Sequence, residues 1–414
     1  MKRFTPSATQ KSRQATLILG FLLVMSFLFI LFQGGKLASM LFVILSLLTV
    51  YLVLGKWSGI RQAEAHREIM TADGTERIQA GQSIQIKLRI HVPGVWPIPY
   101  LLVKDEMIRG NKEKMGMKGS VVLNWMRKGE FVYKTPPLRR GHYSMKKAEF
   151  ATEDVFGLYE HTGTVDLPYS FVVHPQTIEI RNWAQFSHSP RGSRHHSVTA
   201  RMQRETTQIN GVREYIHGDR LSRIHWNATA RTGNWRSKEF ERETLPKMVI
   251  IIDRARSSYR AQADFELAVS AAASLLQFGA QRNIAVGLLS SGKDTYMALP
   301  KTGTRQAEIL MDHLVEVEAD GSRTLQQVIS NTKELFSPGT LVIFVTPRRG
   351  TDTLALLHSA EKQRMLACHL CAESIKDAST DRWMREIHKQ GFMGYAIQSL
   401  TDLPAALGGA QPYA

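Results

Sequence analysis

The spacing of hydrophobic positions changes three times along the chain. From Ala15 to Phe32, and again from Leu37 to Gly55, no charged residue occurs. At a rise of 1.5 Å per residue, each run is long enough to cross a hydrocarbon core of about 30 Å as a helix. The break Gln33-Gly34-Gly35-Lys36 between them predicts a two-helix transmembrane hairpin over 15–55, behind a polar tail at 1–14. A cleaved signal peptide would carry a shorter apolar region and end at small residues, whereas here a second span follows at once.

Over residues 61–180 the period becomes two. Ser83 to Ile90 puts Ile84, Ile86, Leu88 and Ile90 on one face and polar residues on the other, the pattern of a half-buried strand. Similar runs recur at Tyr100–Val103, Ser120–Leu123, Phe131–Lys134 and Phe171–His174, with turn signals such as Pro93-Gly94 and Pro136-Pro137 between them. Short strands so punctuated predict a β-sandwich domain.

From residue 247 to 414 apolar strands alternate with helical patterns, which predicts an α/β (Rossmann-like) domain with a parallel sheet. The expected strands are Met248–Asp253, Ile284–Leu289, Leu341–Val345 and Met365–Cys371, with a short one near Tyr395. The expected helices are Asp264–Gln281, Thr304–Glu318, Thr324–Phe336 and one near Asp381–Lys389. Ligands of such a sheet are expected beyond the carboxyl ends of its strands.

Charge adds a constraint. With 53 Lys and Arg against 37 Asp and Glu, the chain favours anionic partners: nucleic acid, an acidic leaflet or an acidic protein face. Lys2, Arg3, Lys11 and Arg13 precede the first apolar run and Lys56, Arg61 and Arg67 follow the second, against Lys36 alone between them. By the positive-inside rule both ends face the cytoplasm, giving a multi-pass protein of the cell membrane with cytoplasmic soluble domains. The two cysteines, Cys368 and Cys371, make no disulfide framework and fit a reducing compartment.

Between the two folded regions, residues 181–246 form an arginine-rich connector, with thirteen Lys and Arg against six Asp and Glu through Lys247. Ser189–Ser197 reads as a loop, Gly218-Asp219 as a turn, Leu221–Arg231 as a short helix and Trp235–Glu243 as an exposed strand. Trp226 and Trp235 are expected to anchor this connector across the α/β domain, while Arg213, Arg223 and Arg231 pair with acids or face a partner. His217, Asp219 and His225 have the residue types of a metal or nuclease centre, but no zinc spacing and no nucleophile–base pair accompanies them. No nucleic-acid module surrounds the arginines, so nucleic acid is not the expected partner. Cys368-His369-Leu370-Cys371 lies on an expected strand, where residues three apart face opposite sides and cannot share a metal. Neither GxxxxGK[ST] nor GxGxxG occurs in a strand-to-helix context, so nucleotide hydrolysis is not expected of this chain.

The first strand of the α/β region ends in Asp253-Arg254-Ala255-Arg256-Ser257, which resembles the metal-adhesion motif of von Willebrand A domains with its middle serine replaced by Ala255. Asp253 and Ser257 are therefore expected to cap the neighbouring turn. Arg254, Arg256, Arg348 and Arg349 would crowd this crest with positive charge, which argues against Mg²⁺ and for an anion- or partner-binding face bordered by Lys293, Lys301 and Arg305. No cofactor is expected.

Arg213, Tyr215, Gly218, Asp219, Arg223, Ile224, Trp226, Ala230, Arg231 and Glu243 match the R-x-Y-x-x-G-D, R-I-x-W, A-R and closing Glu pattern of the domain of unknown function 58 family. Arg140-Gly141-His142-Tyr143 and Asp154-Val155-Phe156-Gly157-Leu158 extend the match, with Val155 where that family usually has proline. With the amino-terminal hairpin, the chain resembles the membrane-anchored members of that family, which carry a von Willebrand A-like domain. That resemblance implies a non-enzymatic adaptor or scaffold working with a MoxR-type AAA+ ATPase. A membrane-bound nucleic-acid-binding protein or nuclease, and a structural membrane homo-oligomer, are the alternatives.

Overall fold

The computed structural model describes residues 8–55, 58–70, 77–110, 113–183, 204–217, 219–243, 246–323, 325–329, 337–375 and 377–408. Residues 1–174 and 175–414 form two compact units.

The first unit opens with helices α1 (Ala8–Gln33) and α2 (Lys36–Leu54). Gly34 and Gly35 join them at φ of 59° and 91°, backbone that L side chains rarely adopt, so two residues suffice to reverse the chain. Phe27 packs on Phe42 with ring centroids 5.8 Å apart. Both helices are long and apolar enough to cross a membrane, and only 6% and 11% of their apolar windows is buried. That exposure separates them from core helices, whose apolar residues turn inward.

Two antiparallel sheets follow. Strands β1 (Glu64–Met70), β3 (Gln85–His91) and β6 (Lys128–Lys134) form one, in the order β1-β3-β6. The other has the order β2-β8-β7-β4-β5, from β2 (Ile78–Gln79), β4 (Leu101–Arg109), β5 (Glu113–Val121), β7 (Gly141–Glu153) and β8 (Glu160–His174). The alternation read at Ser83–Ile90 lies on β3, and Ile86, Leu88 and Ile90 are fully buried. Leu88 and Ile90 share a cluster with Val103 of β4 and Phe150 of β7, so side chains of both sheets meet in one core. A buried ion pair crosses it: Arg67 Nη2 lies 2.6 Å from Asp105 Oδ1, and Tyr133 donates to Asp105 Oδ2 at 2.7 Å. Burial, then the Asp105 charge, pushes the Tyr133 phenol well above its usual range.

In the second unit, β9 (Arg204–Glu214) and β10 (Arg236–Glu243) make a separate antiparallel hairpin. Its long connection carries a 3-10 turn at Leu221–Arg223 and the two-turn helix α3 (Trp226–Thr232). The single helix expected over Leu221–Arg231 is thus interrupted, because Ile224 adopts extended backbone, bridges to Ser237 and is buried.

The remaining chain builds a six-stranded sheet in the order β13-β12-β11-β14-β15-β16. It comprises β11 (Lys247–Asp253), β12 (Ala285–Ser291), β13 (Thr295–Lys301), β14 (Leu341–Val345), β15 (Leu366–Ala372) and β16 (Met393–Ile397). All neighbours are parallel except β12 and the edge strand β13. Its helices are α4 (Gln262–Gln281), α5 (Thr304–Glu316), α6 (Leu325–Ile329), α7 (Thr351–Lys362), α8 (Ala378–Lys389) and α9 (Asp402–Leu407). Thr324 and residues 330–336 of the helix expected at Thr324–Phe336 lie outside the described residues, as does the loop expected at Ser189–Ser197. β13 was not expected.

Alternate residues of β11 enter different cores: Ile250 and Ile252 one, Val249 and Ile251 the other. A strand covered on both faces must be apolar at every position, which is why this run shows no alternation. Cys368 and Cys371 divide in the same way, one thiol in each core. Burial pushes the Cys371 thiol up to about 12 and Cys368 higher still.

Candidate functional site

Register puts the carboxyl ends of β11 and β14 side by side, Ile252 opposite Val345, so the segments after Asp253 and after Val345 meet at the crest of the sheet. Asp253 is buried there. Its Oδ1 accepts from the Ala255 amide at 2.9 Å, and its Oδ2 accepts from the Ser258 hydroxyl at 2.6 Å and the Thr346 hydroxyl at 3.0 Å. Asp253 thus ties the turn after β11 to the end of β14. Ser257 is exposed and its hydroxyl takes a different partner, Arg348.

Arg348 folds back over this loop. Its Nε donates to Ser258 Oγ at 2.6 Å and lies 3.8 Å from Asp253 Oδ2, while Nη2 donates to Ser257 Oγ at 2.8 Å. A guanidinium thus occupies the place on which the acid and two hydroxyls converge. This donor set does not fit Mg²⁺: Ala255 supplies no oxygen, and a fixed positive charge stands among the oxygens that remain.

Arg349 turns the other way, to Glu373 and Ser379, with Asp377 Oδ2 at 3.7 Å. Arg260 reaches the same acids, at 3.2 Å from Glu373 and 3.5 Å from Asp377. Hydrogen bonds from Ser379, then the neighbouring arginines, hold the Asp377 carboxyl below its usual range. Beside this network lies an open cleft of about 470 Å³ lined by Ser258, Arg260, Asp264, Arg349, Arg382 and Trp383, among others. Behind it His369 is fully buried between the Thr346 carbonyl, 3.0 Å from Nε2, and the Trp383 indole, which donates to Nδ1 at 3.3 Å. Burial lowers its pKa to about 4, so it is a neutral core group and not a proton donor to the crest.

The four crest arginines are therefore not equivalent. Arg254 does not face outward: it is buried, ion-paired to Asp320 at 2.7 Å and bonded to the Glu318 carbonyl at 2.9 Å, because its neighbour Ala255 bridges to Gly321 and draws the chain inward. Arg256 is exposed, and Arg348 and Arg349 are half-buried. Lys293 follows β12 at the crest. Lys301 does not border it: β13 runs antiparallel and pairs Lys301 with Val286, toward the amino end of β12. Arg305 begins α5, just after that strand.

The signature segment is held by polar contacts of its own. Arg213 Nη2 donates to Asp219 Oδ1 at 2.7 Å, and Asp219 Oδ2 accepts from the Ile216 amide at 3.2 Å. These two bonds, the Arg213 one first, keep the Asp219 carboxyl below its usual range. Tyr215 stands edge-on to Trp235 with centroids 5.3 Å apart. His225 Nδ1 caps α3 by accepting from the Ala228 amide at 3.1 Å. Asp219 and His225 are thus committed to separate structural tasks, and His217 is exposed. Ala230 and Arg231 lie exposed on α3 and Arg223 is half-buried in the 3-10 turn. Glu243 pairs in register with Arg204, and Gly218 lies outside the described residues.

Trp226 and Trp235 do not anchor the connector. Trp226 is 66% exposed and Trp235 52%, while Leu221 at 64% and Ile216 at 63% join them at the surface. Among the described residues of the hairpin, Ile224 and Ser237 are buried while both indoles stay largely at the surface. Reasoning from sequence also missed Ser258 and Thr346, the hydroxyls that bind Asp253. Their signal was position alone, each just past the end of a buried strand.

Residues 211–368 match the family described as "Protein of unknown function DUF58". The chain is 25% identical over 356 residues, 83% of its own length and 84% of the relative's, to "Uncharacterized protein YeaD" of Bacillus subtilis (strain 168). Among solved structures it is similar to proximal thread matrix protein 1 from the mussel byssus, at 13% identity and a TM-score of 0.29, covering 40% of this chain and 46% of that one. A further likeness is to FetP of uropathogenic E. coli strain F11, at 14% identity and a TM-score of 0.17 over 27% of this chain and 88% of that one. The chain thus spans less than half of the mussel protein.

Proposed function

For a chain whose residues 211–368 match the DUF58 family, and whose first two helices are long and apolar enough to span a membrane, we propose the role of a membrane-anchored adaptor. In this reading residues 61–180 are a β-sandwich, residues 247–414 are a von Willebrand A-like domain with a cation built into its crest, and both lie on the cytoplasmic side. The partner is an AAA+ ATPase of the MoxR type, which supplies the nucleotide chemistry.

One observation carries the reading. Four large apolar side chains of the signature segment, Ile216, Leu221, Trp226 and Trp235, are more than half exposed in a connection tightly fixed by Arg213, Asp219 and His225. Apolar groups held outward on a pre-formed loop fit a protein-docking surface, since their exposure is costly unless a partner covers them. The crest offers a second, charged face, pre-organised by Arg348 and Arg349.

The experiment is affinity purification of the detergent-solubilised full chain with and without ATP and Mg²⁺. Leu221→Ala with Trp226→Ala tests the hairpin, and Arg256→Glu with Arg382→Glu tests the crest without touching a buried ion pair. An AAA+ ATPase retained by the wild type and lost from the hairpin variant supports the adaptor. Nucleic acid alone, or the same companions for every variant, would overturn it.

A further inference from the structure

The first unit carries an apolar rim where its loops meet its helices. Thr16, at the start of the first apolar run, shares a hydrogen bond of 2.8 Å with the Tyr159 hydroxyl. Tyr51, in the last turn of α2, packs on Trp96 at 5.3 Å and edge-on to Phe156 at 6.2 Å. In an antiparallel hairpin the start of the first helix and the end of the second lie at the same end. The β3–β4, β5–β6 and β7–β8 connections are gathered there.

Arg127 locks them together. Its Nε donates to the Val92 carbonyl at 2.7 Å, and its other nitrogens reach the carbonyls of Trp96 and of Ser58, just beyond α2. Asp154 fixes the third loop by accepting from the amides of Phe156 at 2.7 Å and Tyr159 at 2.6 Å. At the tips of these loops Trp125 and Val95 are fully exposed, and Val122, Met126, Val155 and Phe156 are at least 60% exposed. Lys128 is exposed next to them.

We infer that this rim is a lipid-binding surface: Trp125, Met126, Val95, Val155 and Phe156 seat in the headgroup–acyl boundary of the same bilayer that the helices cross. Aromatic residues favour that boundary, apolar tips gain by leaving water, and an adjacent lysine meets anionic headgroups. The occupant follows from continuity, because the rim touches both helix ends at the level where the apolar runs stop. The inference rests on the membrane-anchored reading above.

It is tested on the full chain reconstituted in vesicles of phosphatidylcholine with a minor share of phosphatidylglycerol. An environment-sensitive fluorophore is placed on single new cysteines, Cys368 and Cys371 being buried. Leu47→Cys reports on α2, Trp125→Cys and Val95→Cys on the rim, and Glu113→Cys on the far end of β5, roughly 26 Å along the strand from Val121. Lipids carrying a quencher near the headgroup should dim positions 125 and 95 several-fold more than 113, and a deep quencher should dim position 47. If position 47 is quenched while 125 and 95 behave like 113, the rim does not enter lipid although the anchor stands. If position 47 is not quenched either, the anchored reading falls and this inference with it.

Discussion

The Arg348 guanidinium lies 3.8 Å from the Asp253 carboxylate and donates to both Ser257 and Ser258. The crest of the α/β unit therefore holds its cation covalently. Millimolar Mg²⁺ and EDTA should give the wild-type unit the same melting temperature. Arg348→Ala should cost about 1–3 kcal/mol, the scale for removing a partner from a buried acceptor. Arg348→Ala combined with Ala255→Ser should acquire a melting temperature that rises with Mg²⁺, read by differential scanning fluorimetry.

Neighbouring signature positions should respond very differently to truncation. Ile224 is 2% exposed and Trp226 is 66% exposed. Ile224→Ala should destabilise the hairpin by about 2–5 kcal/mol, and Trp226→Ala should change stability by no more than about 0.5 kcal/mol. Urea titrations of the two variants, followed by circular dichroism, distinguish them.

Much of this architecture was legible in the amino-acid pattern, and its failures have physical causes. The buried strands at 248–253 and 341–345 were readable because a strand covered on both faces must be apolar throughout. The edge strand Thr295–Lys301 alternates weakly and contains Pro300, which suits an edge and demotes a run when read in isolation. The signature tryptophans were expected inside because large rings usually bury, a rule about averages that does not fix the place of any one ring. Arg348 could not be placed at all: it lies about ninety positions from Ser258, and only the parallel pairing of β11 with β14 unites them.

Acid should weaken the second unit through two of its histidines. Burial lowers His369 from 6.5 to about 4, and burial followed by the Arg254 charge does the same to His313. Between those values the unfolded chain binds protons that the folded chain does not, so stability falls as pH drops from about 6.5 toward 4. His369→Gln, which can still serve Thr346 and Trp383, should flatten that slope in denaturation curves taken across this range. Asp264 acts lower down: burial raises its carboxyl, but the Ser374 and Ala261 bonds outweigh this and depress it. Its contribution is present above the ordinary carboxylate value and lost as pH falls through its lowered folded value.

Neither thiol should react in the folded protein. Cys368 and Cys371 are buried and their acidities are suppressed, so a thiol reagent at neutral pH should titrate none in native buffer and two in denaturant. Because the two sulfurs lie in different cores, partial labelling at one position would report which side of the sheet opens first.

A removed partner should matter most at Asp105. The Arg67–Asp105 side chains are 3% and 0% exposed, so Asp105→Ala leaves a guanidinium buried without its counter-charge. A loss of about 3–5 kcal/mol is expected in the unfolding of the first unit, against little effect from truncating the exposed partner Glu130 of Lys87.

Arg127 sits at a backbone φ of 57°, a conformation that costs a non-glycine residue about 1–2 kcal/mol. It holds that conformation while its side chain bonds to the carbonyls of Val92, Trp96 and Ser58. The Ser58 carbonyl is consequently tied to the same side chain as the loops that follow β3 and precede β6. Displacing Ser58 should therefore disturb the ends of β3 and β6, where Val92 and Arg127 sit, before it disturbs any strand interior.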